Sequence, residues 1–433
     1  MKTFLIIVLL LTFTALLGGG IFASNYFEEA IEEYNYSISG VEAFFDNHKP
    51  DPFINEAPFL KSENISEYPD ERYSLRTPEG ISIISYSEVW DTAKLELLYE
   101  ELMKNKIGPE IELLYEIVVY PDEGDEMILG TFSPFTSSMD FTLQFPALPE
   151  DFVVGVSRAV GRIVLNGGDT NDTIESMAST LSHEYGHLFT FYHMFDLSFE
   201  NLEHSDYAII RGASRHNLIT GEHDEEYYRL HRHRFLIEVA AEDYLQLMGS
   251  PTTRQVGTFV DVRQSLKDGA ENPKFSIRYR NAFPQENMKI PLASEVNGLR
   301  DYFYHFIGEK PVPPVEDRQD ITLDIRPVTV EHDLVSGLTS FLHYVITWNT
   351  PYEEAIYTLA YYDPDDYSGW GLPVRTVFQG QTASATIGKV TTQRGNQIHI
   401  LEDSIAQGNR VFYVVAQLPD GTYYLSEKMP IQF

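Results

Sequence analysis

The sequence predicts an α+β domain followed by an all-β sandwich, and three observations predict it. Apolar residues return at helical spacing through residues 89–106, 174–188 and 234–248, with short β-branched runs between the first two. After residue 320 that spacing stops, and short alternating runs between turns rich in Pro, Gly and Asp continue to Phe433. Between these regions stands Pro311-Val312-Pro313-Pro314 with Glu316-Asp317-Arg318-Gln319-Asp320, the clearest linker in the chain.

A chain of 433 residues, 43% of them hydrophobic, has room for two or three cored domains. Its net charge of −34, from 31 basic and 65 acidic residues, argues against nucleic acid and against simple adhesion to anionic lipid. Cys is absent, which excludes a disulfide framework, a lipobox, a thiolate zinc site and a thiol nucleophile. Acidic and free of Cys, the chain fits an extracellular bacterial protein, most simply a Gram-positive one.

Taken in order, residues 1–23 read as an export segment: Met1-Lys2, an apolar stretch from Phe4 to Leu17, then Gly18-Gly19-Gly20 and Ile21-Phe22-Ala23. Cut after Ala23 it is a signal peptide. Retained, it is about 20 residues long and anchors the protein to the outer face of the membrane, with Lys2 inside. Both readings stay open. Residues 24–76 are acidic, aromatic and punctuated by Pro50, Pro52, Pro58 and Pro69, as in a spacer or propeptide-like segment.

Residues 77–310 read as the principal domain. Val89 to Lys106 has the helical pattern, and Ile111 to Tyr120 is a strand turned by Pro121-Asp122-Glu123-Gly124. Met127 to Phe135 and Phe141 to Phe145 are two further strands, and Arg162 to Asn166 another, broken by Gly167-Gly168. Asp172 is the expected N-cap of the next helix, with Glu175 three residues on. Arg234 to Ser250 is a helix ended by Gly249 and Pro251, and Asn297 to Ile307 the last one. Residues 311–320 link this domain to the sandwich of 321–433, whose strands include Thr322 to Ile325, His343 to Trp348, Ala355 to Tyr362, Arg410 to Ala416 and Tyr423 to Leu425.

The chemistry is carried by His183-Glu184-Tyr185-Gly186-His187. On a helix this spacing puts two imidazoles on one face, one turn apart, where they can share a zinc ion. Glu184 lies about 100° round the helix from His183. It is near the metal without being placed to ligate it, where a general base for a metal-activated water belongs. A strand before this helix matches the order that zinc peptidases of the zincin class require.

Zinc needs a third protein ligand, and two candidates compete. His193 matches the last His of the metzincin pattern, but Thr190 stands where that pattern has a turn-making Gly. If the helix continues, His193 points about 80° away from His183. Glu238 lies in the most apolar part of its helix, between Ile237 and Val239, where a carboxylate needs a positive partner. Glu242, one turn on, is placed to accept the ring N–H of a zinc-bound His.

These residues resemble the gluzincins. The motif and Glu238-Val239-Ala240-Ala241-Glu242-Asp243-Tyr244-Leu245-Gln246-Leu247-Met248-Gly249-Ser250 resemble the peptidase domain of anthrax lethal factor more closely than thermolysin-like enzymes; there a His-Glu-Phe-Gly-His helix precedes Glu-x-x-Ala-Glu-x-Phe-Arg-Leu-Met-x-Ser. The second match needs one extra residue before Leu247-Met248, and the resemblance covers two short helices. It implies a zincin-like fold, zinc ligands His183, His187 and Glu238, and Glu184 as base. That family also has a Tyr before the ligand Glu that helps hold the oxyanion. His231 stands at the matching offset here, with Tyr227, Tyr228 and His233 nearby, so the role stays open, with His231 and Tyr228 as candidates.

The expected function is that of an exported zinc metallopeptidase acting on a protein or peptide substrate. The sandwich, with Trp348 resembling the core Trp of fibronectin type III and related immunoglobulin-like domains, offers a surface for a cell-wall or surface partner. The competing reading is a non-catalytic surface protein that uses a peptidase-like fold for binding; the intact Glu184 argues against it, since a structural site needs no base.

Overall fold

The computed structural model describes residues 72–432 apart from 123–129, 143–152, 195–201, 222, 224, 256–258, 270–282, 312–318, 331–337, 367–368, 370, 393–396 and 399–407. The expected export segment, the spacer before residue 72, most of the linker and the end of the expected Phe141–Phe145 strand lie outside the described residues. Among the described residues no helix is long and apolar enough to cross a membrane.

The first half is a mixed sheet with helices. Its elements are β1 (Tyr73–Arg76), β2 (Ser82–Ser85), helix α1 (Thr92–Leu102), β3 (Leu114–Val119), β4 (Gly130–Thr142), β5 (Val153–Leu165) and helix α2 (Ile174–His193). The strand order is β1-β2-β3-β5-β4. β2, β3 and β5 run parallel, while β1 and β4 close the two edges antiparallel. Parallel strands covered by helices read as near-continuous apolar runs. Accordingly Ile117, Val119, Ile163 and Leu165 are fully buried with Leu95, Leu98 and Leu102 of α1 and Leu181 of α2.

Capping sets where the helices begin. The Asp91 side chain accepts from the Lys94 N–H at 3.0 Å and starts α1. α2 starts one residue later than expected: Thr173, not Asp172, is the N-cap, and its hydroxyl accepts from the Ser176 N–H at 3.2 Å. Ser176 reciprocates, so the Thr173–Ser176 pair replaces the Asp172–Glu175 box.

Among the described residues five α-helices follow before a connecting segment: α3 (Asp206–Arg211), α4 (Glu225–His231), α5 (Leu236–Met248), α6 (Pro251–Arg254) and α7 (Phe259–Lys267). α5 is buried nearly all round, with Leu236, Val239, Ala240, Tyr244 and Met248 at or near zero exposure. It packs directly on α2. A Cβ on Gly186 would lie 2.8 Å from the Ala241 carbonyl oxygen, so the two backbones touch there. Residues 283–292 then cross to the C-terminal region, and α8 (Leu299–Phe306) returns Phe303 to the first core.

The C-terminal region is rich in sheet, as expected. β6 (Leu323–Val330), β7 (Leu338–Trp348), β10 (Ser384–Thr392) and β11 (Gln397–Ile398) form one antiparallel sheet in the order β11-β10-β7-β6. β8 (Ile356–Tyr362), β9 (Leu372–Phe378), β12 (Asn409–Gln417) and β13 (Tyr423–Leu425) form another, with β14 (Met429–Gln432) also on β12. Residues of both sheets share one core: Ile346, Trp348 and Ile387 from the first, and Leu359, Phe412 and Val414 from the second.

The second sheet is buried on its other face as well. Ala360, Tyr362, Tyr413 and Leu425 pack against Phe283, Met288 and Leu292, and Ile356 packs against Val262 and Leu266 of α7. All seven residues of β8 are buried as a result. Polar bonds cross the same seam: the Met288 N–H donates to the Gly369 carbonyl at 3.0 Å, and Lys428 Nζ donates to the Met288 carbonyl at 2.6 Å. The C-terminal sheets are therefore packed onto the first half through residues 283–292.

Candidate metal centre

His183 and His187 project from one face of α2, ring centroids 4.9 Å apart and edge to face. Glu238 reaches them from the first turn of α5. One carboxylate oxygen lies 3.3 Å from His183 Nε2 and the other 3.5 Å from His187 Nε2. Donor atoms of all three fall within 4.8 Å of one another, the one such group of three among the described residues. The Gly186–Ala241 contact brings the helices close enough for this. The bulky side chain that most residues would place at 186 would hold them apart.

Glu184 sits on the same helix but off the ligand face, and it is 5% exposed. Burial pushes its carboxyl up to about 7, although His183 and the Phe132 N–H, which bonds the carboxylate, pull the other way. Phe132 belongs to β4, which comes so close that a Cβ on Gly130 would fall 2.7 Å from Glu184 Oε1. Only glycine lets the strand pass there.

The protein's own charges polarise the three donors. Burial disfavours charge on His183, but the Glu238 hydrogen bond and the Glu184 and Glu238 carboxylates outweigh it and push the ring up to about 9. Burial lowers His187 to about 4. Burial alone would raise Glu238, yet His187, the His183 hydrogen bond and Arg232 hold it well below the usual carboxylate range. Glu238 is thus an anion at any ordinary pH.

Of the two candidates for the oxyanion role, Tyr228 touches the triad directly: its hydroxyl donates to Glu238 Oε1. Burial holds its own pKa well above 10. His231 packs on Tyr227, ring centroids 4.3 Å apart. Glu242 is buried near the triad, and its Oε1 accepts the Glu286 N–H at 2.8 Å, so the hydrogen bond seen at this oxygen goes to backbone. Burial and then the Glu286 charge push Glu242 up to about 8.

His193, the other candidate third ligand, is engaged elsewhere. α2 runs unbroken to His193, so the ring turns away from the motif face as the missing Gly foretold. Its Nε2 lies 2.9 Å from Glu110 Oε2, and the ring stacks on Phe306 at 4.9 Å.

Arg232 escaped the sequence reading. Its Nη2 lies 3.0 Å from Glu286 Oε1, and its charge acts on His183, Glu184, His187 and Glu238 alike. The one signal available was its place between His231 and His233, just before the ligand helix. His183, Glu184, Arg232 and Glu242 line an open cleft together with Arg254 and Tyr423. Tyr423 comes from β13, so the C-terminal sheets reach the cleft.

No family model matches the chain, and no curated protein matches it. Among solved structures, wild-type OgpA from Akkermansia muciniphila is 6% identical, with 42% of this chain and 49% of that chain covered, at a TM-score of 0.16. This chain thus spans about half the length of OgpA. The alkylpurine DNA glycosylase AlkC of Pseudomonas fluorescens, bound to DNA containing an abasic-site analogue, is 12% identical over 59% of this chain and 71% of its own, at a TM-score of 0.12. Likenesses this distant carry no argument about fold or chemistry.

Proposed function

We propose that the protein is an exported zinc metallopeptidase with a zincin-like catalytic half of the gluzincin type, followed by a fibronectin type III- or immunoglobulin-like sandwich. The observation that carries the reading is the meeting of His183, His187 and Glu238 donors within 4.8 Å, although Glu238 is 55 residues from His183. The donor set fits zinc: two imidazole nitrogens and one carboxylate oxygen, half-buried, beside a cleft that admits solvent and substrate. Zinc held there supplies a Lewis acid for a substrate carbonyl and lowers the pKa of a water.

The chain's own groups do the rest. Glu184 takes a proton from the attacking water at its carboxylate and returns it to the departing amine nitrogen. A carboxyl pushed up to about 7 suits both halves of that exchange near neutral pH. The Phe132 N–H fixes the orientation of the carboxylate. Tyr228, kept protonated by burial, is the donor for the developing oxyanion once its hydroxyl turns from Glu238, with His231 the alternative. β4 is an edge strand, and its Gly130 lines the cleft. An edge strand can offer main-chain hydrogen bonds to an extended peptide, so a protein or peptide substrate suits it. Export rests on residues 1–23, and a cell-wall or surface partner for the sandwich belongs to the same reading.

The test pairs metal analysis of the purified protein with cleavage of an unstructured protein, with and without a chelator. Glu184→Gln is expected to keep its zinc and lose hydrolysis. Cleavage by that variant as fast as by the parent would remove Glu184 from the role of base.

A further inference from the structure

The cleft carries a guanidinium, that of Arg254, with no acidic partner in contact among the described residues. Several other arginines of this acidic chain that are wholly or partly buried have found carboxylates. Arg162 pairs with Glu116 at 2.7 Å, Arg232 with Glu286 at 3.0 Å, and Arg410 with Asp363 at 2.8 Å. Arg254 Nε makes one long bond, 3.4 Å, to the Ser250 carbonyl. Asp420 acts on it only from beyond contact, and Arg300 adds a like charge nearby. Burial weighs against the charge, yet the residue lines the cleft.

Arg254 is also held in place. Tyr423 Oη donates to the Arg254 carbonyl at 2.5 Å, and Gln255 Nε2 donates to the Pro419 carbonyl at 2.5 Å. Gly421, at φ 79°, lies so near that a Cβ there would sit 2.7 Å from Arg254 Cβ. The C-terminal sheets thus pin the backbone and the start of the side chain of a residue that lines the cleft. A guanidinium presents a fork that matches a carboxylate with two parallel hydrogen bonds, and fixing the base of its side chain reduces the ordering that opposes binding. Arg232, the other cleft guanidinium singled out above, is already paired with Glu286, which leaves Arg254 to meet an anionic group.

We propose that Arg254 is a carboxylate-binding subsite of the cleft, fixed by Tyr423 and Gly421, which takes an acidic side chain or the C-terminal carboxylate of a bound peptide. This rests on the peptidase reading for the identity of the ligand as a peptide. It assigns the C-terminal sheets a share in substrate choice.

The test measures binding apart from turnover. Fluorescein-labelled peptides carry Glu or Gln at one position at a time, each with a free or an amidated C-terminus. Their affinities are read by fluorescence anisotropy on the full-length Glu184→Gln protein, with and without Arg254→Gln or Arg254→Lys. Arg254→Gln is expected to weaken carboxylate-bearing peptides by roughly 10- to 100-fold, neutral counterparts much less, and Arg254→Lys to restore part of the loss. A preference for Glu at one position assigns a side-chain carboxylate, and a preference abolished by amidation assigns the terminal one. Equal affinity for Glu and Gln peptides and for free and amidated ends, or an equal loss for all peptides in Arg254→Gln, overturns the proposal. If the parent cleaves none of these peptides while the Arg254-dependent preference persists, the peptidase reading falls and the subsite stands.

Discussion

Gly186 and Ala241 touch through their backbones: a Cβ at Gly186 would lie 2.8 Å from the Ala241 oxygen and 3.0 Å from its Cα. The two helices that carry the candidate ligands therefore touch one residue before His187 and three after Glu238. The geometry of the metal centre depends on that missing side chain.

Gly186→Ala is expected to force the helices apart. Overpacking of this kind costs about 1–3 kcal/mol, and here it also widens the gap between the imidazoles and Glu238. Urea unfolding and a zinc-competition titration should both register the change. Unaltered stability together with unaltered zinc affinity would disprove the coupling.

Zinc should stabilise the fold through the same three residues. A ligand that binds only the native state adds about 4 kcal/mol at a thousandfold excess over its Kd. Melting of chelator-treated protein should therefore move up on addition of zinc, and the shift should vanish in Glu238→Gln. A full shift in that variant would mean that zinc binds elsewhere.

Glu110 should give the protein an acid-sensitive stability. Burial raises its carboxyl, but His193, the Gly108 N–H and the Tyr185 hydroxyl outweigh burial and leave it below its ordinary value. A carboxylate lowered on folding contributes fully above its unfolded pKa, about 4.3, and loses that contribution as pH falls through the folded value. Urea midpoints measured from pH 6 down to pH 3 should fall less steeply in Glu110→Gln than in the parent. Zinc content should be unchanged, because His193 is a partner of Glu110 and not a ligand; loss of zinc would reopen that assignment.

Tyr228→Phe should keep zinc and reduce kcat by about 10²- to 10³-fold with little change in KM, the range seen when an oxyanion donor is removed. His231→Phe should reduce it much less. The reverse order in steady-state kinetics would transfer the role to His231.

The local parts of the site were legible because helical periodicity is written in neighbouring residues. Two histidines four apart needed only a helix, and α2 is one. Glu238 betrayed itself by standing in an apolar stretch that would not tolerate an unpaired charge. What depends on pairing was less legible. β4 was read as two strands, yet a single strand from Gly130 to Thr142 runs the whole way, because thirteen registered partners on β5 support it. β9 and β10, interrupted by Pro373 and Gly388, gave no clean alternation and went unnoticed. Arg232 and Arg254 carry no motif, since what marks them is the cleft they face, made by segments far apart in the chain.

The C-terminal sheets also reach the chemistry. β8 has no face turned to water, and the layer of Tyr362, Tyr413 and Leu425 closes over a segment whose next few residues, Phe283 to Glu286, form the wall of the cleft. A cassette that leans on its host in this way cannot be lent to another protein. Cutting the chain at the linker would strip the layer bare and slacken the cleft wall, so the two halves are a single unit of inheritance, and a variant arising in either is felt in both.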